Sequence, residues 1–221
     1  MSKPPPIIEI DIISDVVCPW CFLGKRALDV AMSQRLSWPI AVRFRPFVLD
    51  PTIPPEGVDR AERMARIFAG REDQLAASRK ALEEQAASLG IMLALDKATR
   101  QPNTRVLHKM IRWARSENLE VAMAETLFQA FFCQGEDLTD IETLMAITRG
   151  LGLDDGLMRR LIEDGADDDA LDTELEMASR MGVSSVPCFI FNRSWAVMGA
   201  QPAKQFLMAL DRARAEVTGR A

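Results

Sequence analysis

Apolar and polar positions sort the chain into three stretches with different periods. Ile7 to Ile13 is almost continuously apolar and β-branched, broken only by Glu9 and Asp11, which predicts a buried strand. From Trp20 to Leu36 the residues Phe22, Leu23, Ala27, Leu28, Val30, Ala31 and Leu36 recur at helical spacing, with Lys25, Arg26 and Asp29 outside that face. Ile40 to Phe47 alternates apolar and polar positions and predicts a second strand. Asp50 to Gly57 holds three prolines and a glycine and continues neither element, so it marks a boundary.

Beyond that boundary the spacing is helical. Segments at Arg60–Ala69, Asp73–Leu89, Thr104–Ser116, Glu120–Gln134, Asp140–Gly150 and Asp154–Asp164 are separated by breaks at Gly70, Gly90, Pro102, Gly135, Gly150–Gly152 and Gly165. No strand and no internal repeat is read among them. Met64, Met110, Met123 and Met145 read as filler of a helical core rather than as a binding stripe, although a groove between domains could use some of them. A further helix follows at Asp167–Met181, opened by an acidic run that complements a helix dipole. Strand character returns from Gly182 to Asn192, Trp195–Met198 can pair with it across Asn192-Arg193-Ser194, and Ala203–Val217 closes as an amphipathic helix. Lys3–Pro6 is expected to be a short extended tail. The order is β-α-β, then helices, then α-β-β-α: residues 1–58 with 166–221 form one unit, and 59–165 a large all-helical insertion.

With 221 residues and 48% hydrophobic content the chain can bury a core without disulfide staples, and four cysteines are too few for a disulfide scaffold. A net charge of -5, with no cluster of Lys and Arg, argues against general nucleic-acid binding. No apolar run approaches the roughly eighteen residues of a membrane span. The start of the chain also lacks the apolar stretch of a secretory signal. The expectation is a cytoplasmic protein without membrane or nucleic-acid partners.

Chemistry concentrates at Cys18-Pro19-Trp20-Cys21. A Cys-x-x-Cys placed after a strand, at the first turn of a helix, is a redox signature. Unpaired backbone N–H groups and the positive end of the helix dipole stabilise a thiolate on the first cysteine, and the second lies one turn on, within reach of a disulfide. Pro19 fits a first turn, where its missing N–H has no partner to lose. A zinc site would need two further ligands, and Cys133 and Cys188 form no second close pair. The single histidine, His108, excludes a metal site built on several histidines. No metal is expected.

The Cys18–Cys21 motif after a strand, the helical insertion, and Val186-Pro187 opening a late strand together resemble the DsbA-like branch of the thioredoxin superfamily. Arg45-Pro46-Phe47, Pro102-Asn103-Thr104 with His108, Phe131-Phe132 before Gly135, and Gly199-Ala200-Gln201 extend the similarity over nearly the whole chain, most of all to FrnE-type cytoplasmic oxidoreductases. The resemblance implies a thioredoxin fold in which Cys18 is the exposed nucleophile and Cys21 the resolving thiol. It also implies that Pro187 is the superfamily's cis-proline, leaving the backbone of Val186 free to pair with substrate. Trp20 would shield the dithiol. Asp15 is either a proton-transfer group for Cys21 or a turn residue at the strand end. Asn103 is either a contact for substrate or glutathione, or a helix cap. Cys188 is either a third thiol near the site or a core residue, with the core favoured; Cys133 reads as a core thiol.

The leading function is therefore thiol–disulfide exchange on protein or small-molecule disulfides through a mixed disulfide. No cofactor is held tightly, and glutathione is a candidate co-substrate. A glutathione-dependent isomerase or transferase is the alternative; such relatives usually carry serine where this chain has Cys18. A non-catalytic peptide-binding module is the third reading. The resemblance leaves monomer and homodimer both open.

Overall fold

The computed structural model describes residues 6–219; the tail expected at Lys3–Pro6 lies, apart from Pro6, outside the described residues. The sheet is built on β1 (Ile8–Ser14), whose even positions Ile8, Ile10 and Ile12 are wholly buried. On one side β1 pairs in parallel with β2 (Ile40–Pro46), Ile10 opposite Val42, as the intervening helix α1 (Pro19–Ser33) requires. On the other it pairs antiparallel with β5 (Cys188–Phe191), which turns at Asn192–Ser194 into β6 (Trp195–Met198). The strand order is β2-β1-β5-β6. The last helix, α9 (Ala203–Thr218), lies against α1. This is the thioredoxin order expected from the sequence.

Close approach of α1 to the sheet depends on Gly24. A Cβ there would stand 3.0 Å from the Phe189 ring and 3.3 Å from the Ala200 backbone. Phe189 cannot give way, because its ring is wedged edge-on against Phe206 of α9 at 4.6 Å.

The helical insertion shares this core. It contains α2 (Arg60–Ile67), α3 (Glu72–Ser88), α4 (Arg105–Ala114), α5 (Glu120–Gln129), α6 (Ile141–Gly150) and α7 (Asp155–Glu163), and α8 (Asp168–Arg180) then leads back to β5. Phe22 of α1 stacks on Phe128 at 5.5 Å and on Phe132 at 6.1 Å, so one aromatic stack joins α1 to α5. Polar groups reinforce that joint. Lys25, expected outside the apolar face, is only 5% exposed, because its Nζ reaches Glu125 of α5 at 2.5 Å and Asp29 at 2.8 Å. Glu120, also buried, accepts from the Phe44 backbone N–H at 2.7 Å and from Arg115, tying α5 to β2.

Besides Lys25, two features depart from the sequence reading. The helix expected through Gln134 ends at Gln129 and continues as a π-helical turn, Ala130–Gln134, where the Phe132 carbonyl accepts from Ala94 N–H at 2.7 Å. The uninterrupted run of helices is broken by a two-stranded clip, β3 (Val58–Asp59) against β4 (Arg100–Gln101), which closes the base of the α2–α3 excursion. A two-residue ladder is too short to display a period. Met110, Met123 and Met145 are buried as core filler, while Met64 lines an open cleft, the use that the sequence reading left open for some of the methionines.

Candidate active site

Cys18 is the N-cap of α1, with extended backbone (φ −93°, ψ 109°), and Pro19 begins the first turn. The Cys18 carbonyl accepts from Cys21 N–H at 3.0 Å, which closes that turn and carries the second cysteine back beneath the first. Cys18 and Cys21 stand 3.4 Å apart, both as free thiols. Cys18, expected to be exposed, is buried at 5% exposure where Pro19 and Trp20 flank it at the head of α1, and Cys21 is not exposed at all. Burial alone would raise both pKa values, yet the two diverge. The Cys21 thiol, hydrogen-bonded to Cys18, pulls the Cys18 pKa below the ordinary thiol value; burial opposes it, and the backbone N–H groups of Cys21 and Trp20 assist. Burial first, and then the same hydrogen bond, push Cys21 well above it. Cys133 and Cys188 are both raised by burial, so Cys18 alone of the four cysteines is biased toward thiolate.

The Val186–Pro187 peptide is cis, and the Val186 carbonyl faces Cys18 Sγ at 4.0 Å. Cys18, Pro19, Trp20 and Val186 line one cleft of about 780 Å³, whose far wall is the α2–α3 excursion. A smaller recess of about 110 Å³ adjoins it and shares Pro19, Leu49, Arg60, Arg63 and Met64 with it.

Asp15 lines that recess and is 1% exposed. Its backbone carbonyl accepts from Cys18 N–H at 3.0 Å, and its carboxylate accepts from Leu49 N–H at 2.8 Å. It thus does the work of a strand-end turn residue, while its charge also raises the pKa of both active-site thiols. His108, carried in from α4, sits 3.6 Å from the Asp15 carboxylate and donates from Nε2 to the Phe47 carbonyl at 3.0 Å. Asn103 does not line the cleft. Its side-chain amide donates to the Ile53 carbonyl at 2.6 Å and its oxygen accepts from Arg105 N–H at 3.0 Å, so both ends hold the entry to α4. Cys188 is buried with Ile13 and Ala178 on the α8 side of the sheet and does not line the dithiol cleft, although Val186 packs against that cluster. Leu49, Arg60 and Arg63 also line the cleft, and no spacing in the sequence marks them. Among the described residues no group of three or more His, Cys, Asp or Glu gathers as for a metal, and no helix is long and apolar enough to cross a membrane.

A sheet ordered β2-β1-β5-β6, a helical insertion and a dithiol at the head of α1 define a thioredoxin-fold protein of DsbA type. The chain belongs to the family of the DSBA-like thioredoxin domain, which it matches over residues 9–211. Among solved structures it is similar to a probable DsbA oxidoreductase, SCO1869, from Streptomyces coelicolor, with 27% identity, 95% of this chain and 91% of that one covered, and a TM-score of 0.85. It shares its fold with a 2-hydroxychromene-2-carboxylate isomerase, at 18% identity, 96% and 99% coverage and a TM-score of 0.71. The cytosolic disulfide reductase DsbM from Pseudomonas aeruginosa, solved with GSH, has the same fold at 16% identity, 96% and 98% coverage and a TM-score of 0.62. Membership in this family is consistent with thiol–disulfide oxidoreductase chemistry.

Proposed function

We propose that this chain is a thiol–disulfide oxidoreductase in which Cys18 is the nucleophile and Cys21 the resolving thiol. The observation that carries the reading is the placement of the pair: Cys18 caps α1 and lines a cleft, and Cys21, 3.4 Å away, is sealed beneath it, an asymmetry that biases Cys18 toward thiolate. The Cys18 thiolate attacks one sulfur of a substrate disulfide, whose S–S bond breaks as the other sulfur leaves with the electron pair. Cys21 then gives up its proton and attacks Cys18 Sγ, releasing the second substrate thiol and leaving a Cys18–Cys21 disulfide. The substrate gains two electrons and the dithiol loses them; run backwards, the same steps oxidise a dithiol substrate. Trp20 covers the pair, and the Val186 carbonyl offers a backbone acceptor beside the reacting sulfur.

The substrate is a protein or small-molecule disulfide, and glutathione is the proposed co-substrate that resets the dithiol. The DsbM neighbour solved with GSH supports that choice. Together with the FrnE-like motifs, its cytosolic setting supports a cytoplasmic role.

The test is equilibration in graded glutathione redox buffers, followed by acid quench, thiol alkylation and mass analysis. A reversible two-thiol transition assigned to Cys18 and Cys21 is expected, with Trp20 fluorescence changing in step. A persistent single glutathione adduct, or no transition, would sink the reading in favour of glutathione-dependent isomerisation or simple binding.

A further inference from the structure

Three arginines line the cleft beside Cys18, and two of them are already paired. Arg63 is held by Asp50 at 3.0 Å, and Arg79 by Asp96 at 2.6 Å and Glu83 at 2.9 Å. Asp59, the remaining acid of the cleft wall, caps α2 by accepting from Glu62 N–H at 2.8 Å. Arg60 has no carboxylate partner among the described residues. Its Nη1 donates to the Leu95 carbonyl at 2.8 Å and its guanidinium lies over the Phe131 ring at 5.7 Å, while its buried Nε has no acceptor among the described residues. In the adjoining recess, Thr104 Oγ1 is likewise buried without a partner among the described residues, on a residue only 3% exposed. Native proteins seldom leave buried polar groups unpaired, so Arg60 is the cleft arginine with the least satisfied guanidinium. Burial lowers the Arg60 pKa; Asp96 opposes this, and Arg63 and Arg79 add to it. An arriving anion would therefore relieve Arg60.

The rest of the wall is largely apolar: Trp20, Met64, Ile67, Phe68, Leu75 and Leu82. The cleft's roughly 780 Å³ falls in the range of small-molecule sites, about 300–1,000 Å³. The α2–α3 excursion forms the far wall of the cleft lined by Cys18, itself only 5% exposed, which suits a small compound better than a loop on a folded protein. We propose that this cleft takes a small apolar disulfide bearing a carboxylate, with Arg60 pairing the acid while the disulfide lies over Cys18. The acid must come to Arg60 in the main cleft, because Asp15 and Asp50 line the recess behind it. The proposal rests on the oxidoreductase reading and names its substrate class.

The test uses the reduced, full-length protein and two coloured aryl disulfides: dithiobis(nitrobenzoate), which has a carboxylate on each ring, and uncharged dithiodipyridine. Single-turnover rates are taken from the kinetic phase that is lost in Cys18→Ser. In Arg60→Gln the ratio of the carboxylate-probe rate to the neutral-probe rate should fall about tenfold, and Arg60→Lys should restore part of it. The ratio cancels any general loss of folded protein or of thiolate reactivity. An unchanged ratio in Arg60→Gln overturns the assignment of the anion to Arg60 while leaving the redox reading intact. If no phase disappears in Cys18→Ser, the redox reading itself fails.

Discussion

Cys21 lies directly beneath Cys18, 3.4 Å away, and its hydrogen bond is the largest single cause of the lowered Cys18 pKa. Burial is the larger cause of the raised Cys21 value, and the hydrogen bond adds to it, because a thiol donor that stabilises a neighbouring thiolate is itself made a weaker acid. The pH dependence of Cys18 alkylation should therefore show a midpoint below the ordinary thiol value. Cys21→Ala should move that midpoint up, because the donor is gone. Asp15→Asn should move it down, since the Asp15 charge opposes the thiolate. Rates of iodoacetamide labelling against pH, read by mass analysis of the Cys18 peptide, check all three directions. A Cys18 midpoint indifferent to Cys21→Ala would contradict the account.

The same asymmetry fixes how the stability of the reduced protein varies with pH. Between the lowered folded pKa of Cys18 and the ordinary thiol value, the unfolded chain holds a proton on Cys18 that the folded protein lacks. Stability therefore rises with pH through that window. Above the ordinary thiol value the unfolded Cys21 ionises while the buried one stays protonated, so Cys21 contributes a fall. Denaturant unfolding of the reduced protein across this range should show the rising arm, and Cys18→Ser should lack it.

Much of the site could be read from the chain because its geometry is local. Cys18, Pro19 and Cys21 share one helical turn after one strand, and an apolar run followed by helical spacing is enough to place them. Arg60 and Asp15 are different. Arg60 matters through a carbonyl thirty-five positions away at Leu95, and Asp15 through the backbone of Leu49 and through His108 on α4. Nothing in spacing reports contacts made across the fold. Lys25 misled for a related reason: a lysine on a predicted polar face is buried here only because α5 arrives with Glu125.

Gly24 tests how closely α1 must lie on the sheet. Alanine is normally favoured over glycine inside a helix by about 1 kcal/mol. Here the added Cβ meets the immobile Phe189 ring at 3.0 Å and backbone at Ala200 at 3.3 Å. Overpacking should outweigh propensity, so Gly24→Ala should destabilise the protein by about 1–2 kcal/mol net. Urea unfolding measures it; a more stable variant would mean that α1 can lift off the sheet without cost.

The buried pair between Lys25 and Glu125 joins the dithiol helix to the helical insertion and can be separated from the aromatic stack beside it. Removing one partner leaves a buried charge short of its counter-ion, whereas removing both can be nearly neutral. Asp29 remains at 2.8 Å from Lys25 and keeps part of the compensation. Glu125→Ala should therefore cost about 3 kcal/mol, the low end for breaking a buried pair. In a Lys25→Met background the same substitution should cost less than about 1 kcal/mol, since the methionine stem fills the space without a charge to satisfy. Equal costs in the two backgrounds would show that Glu125 acts through Arg26 and Gln129, its other partners, and that Lys25 is satisfied by Asp29 alone.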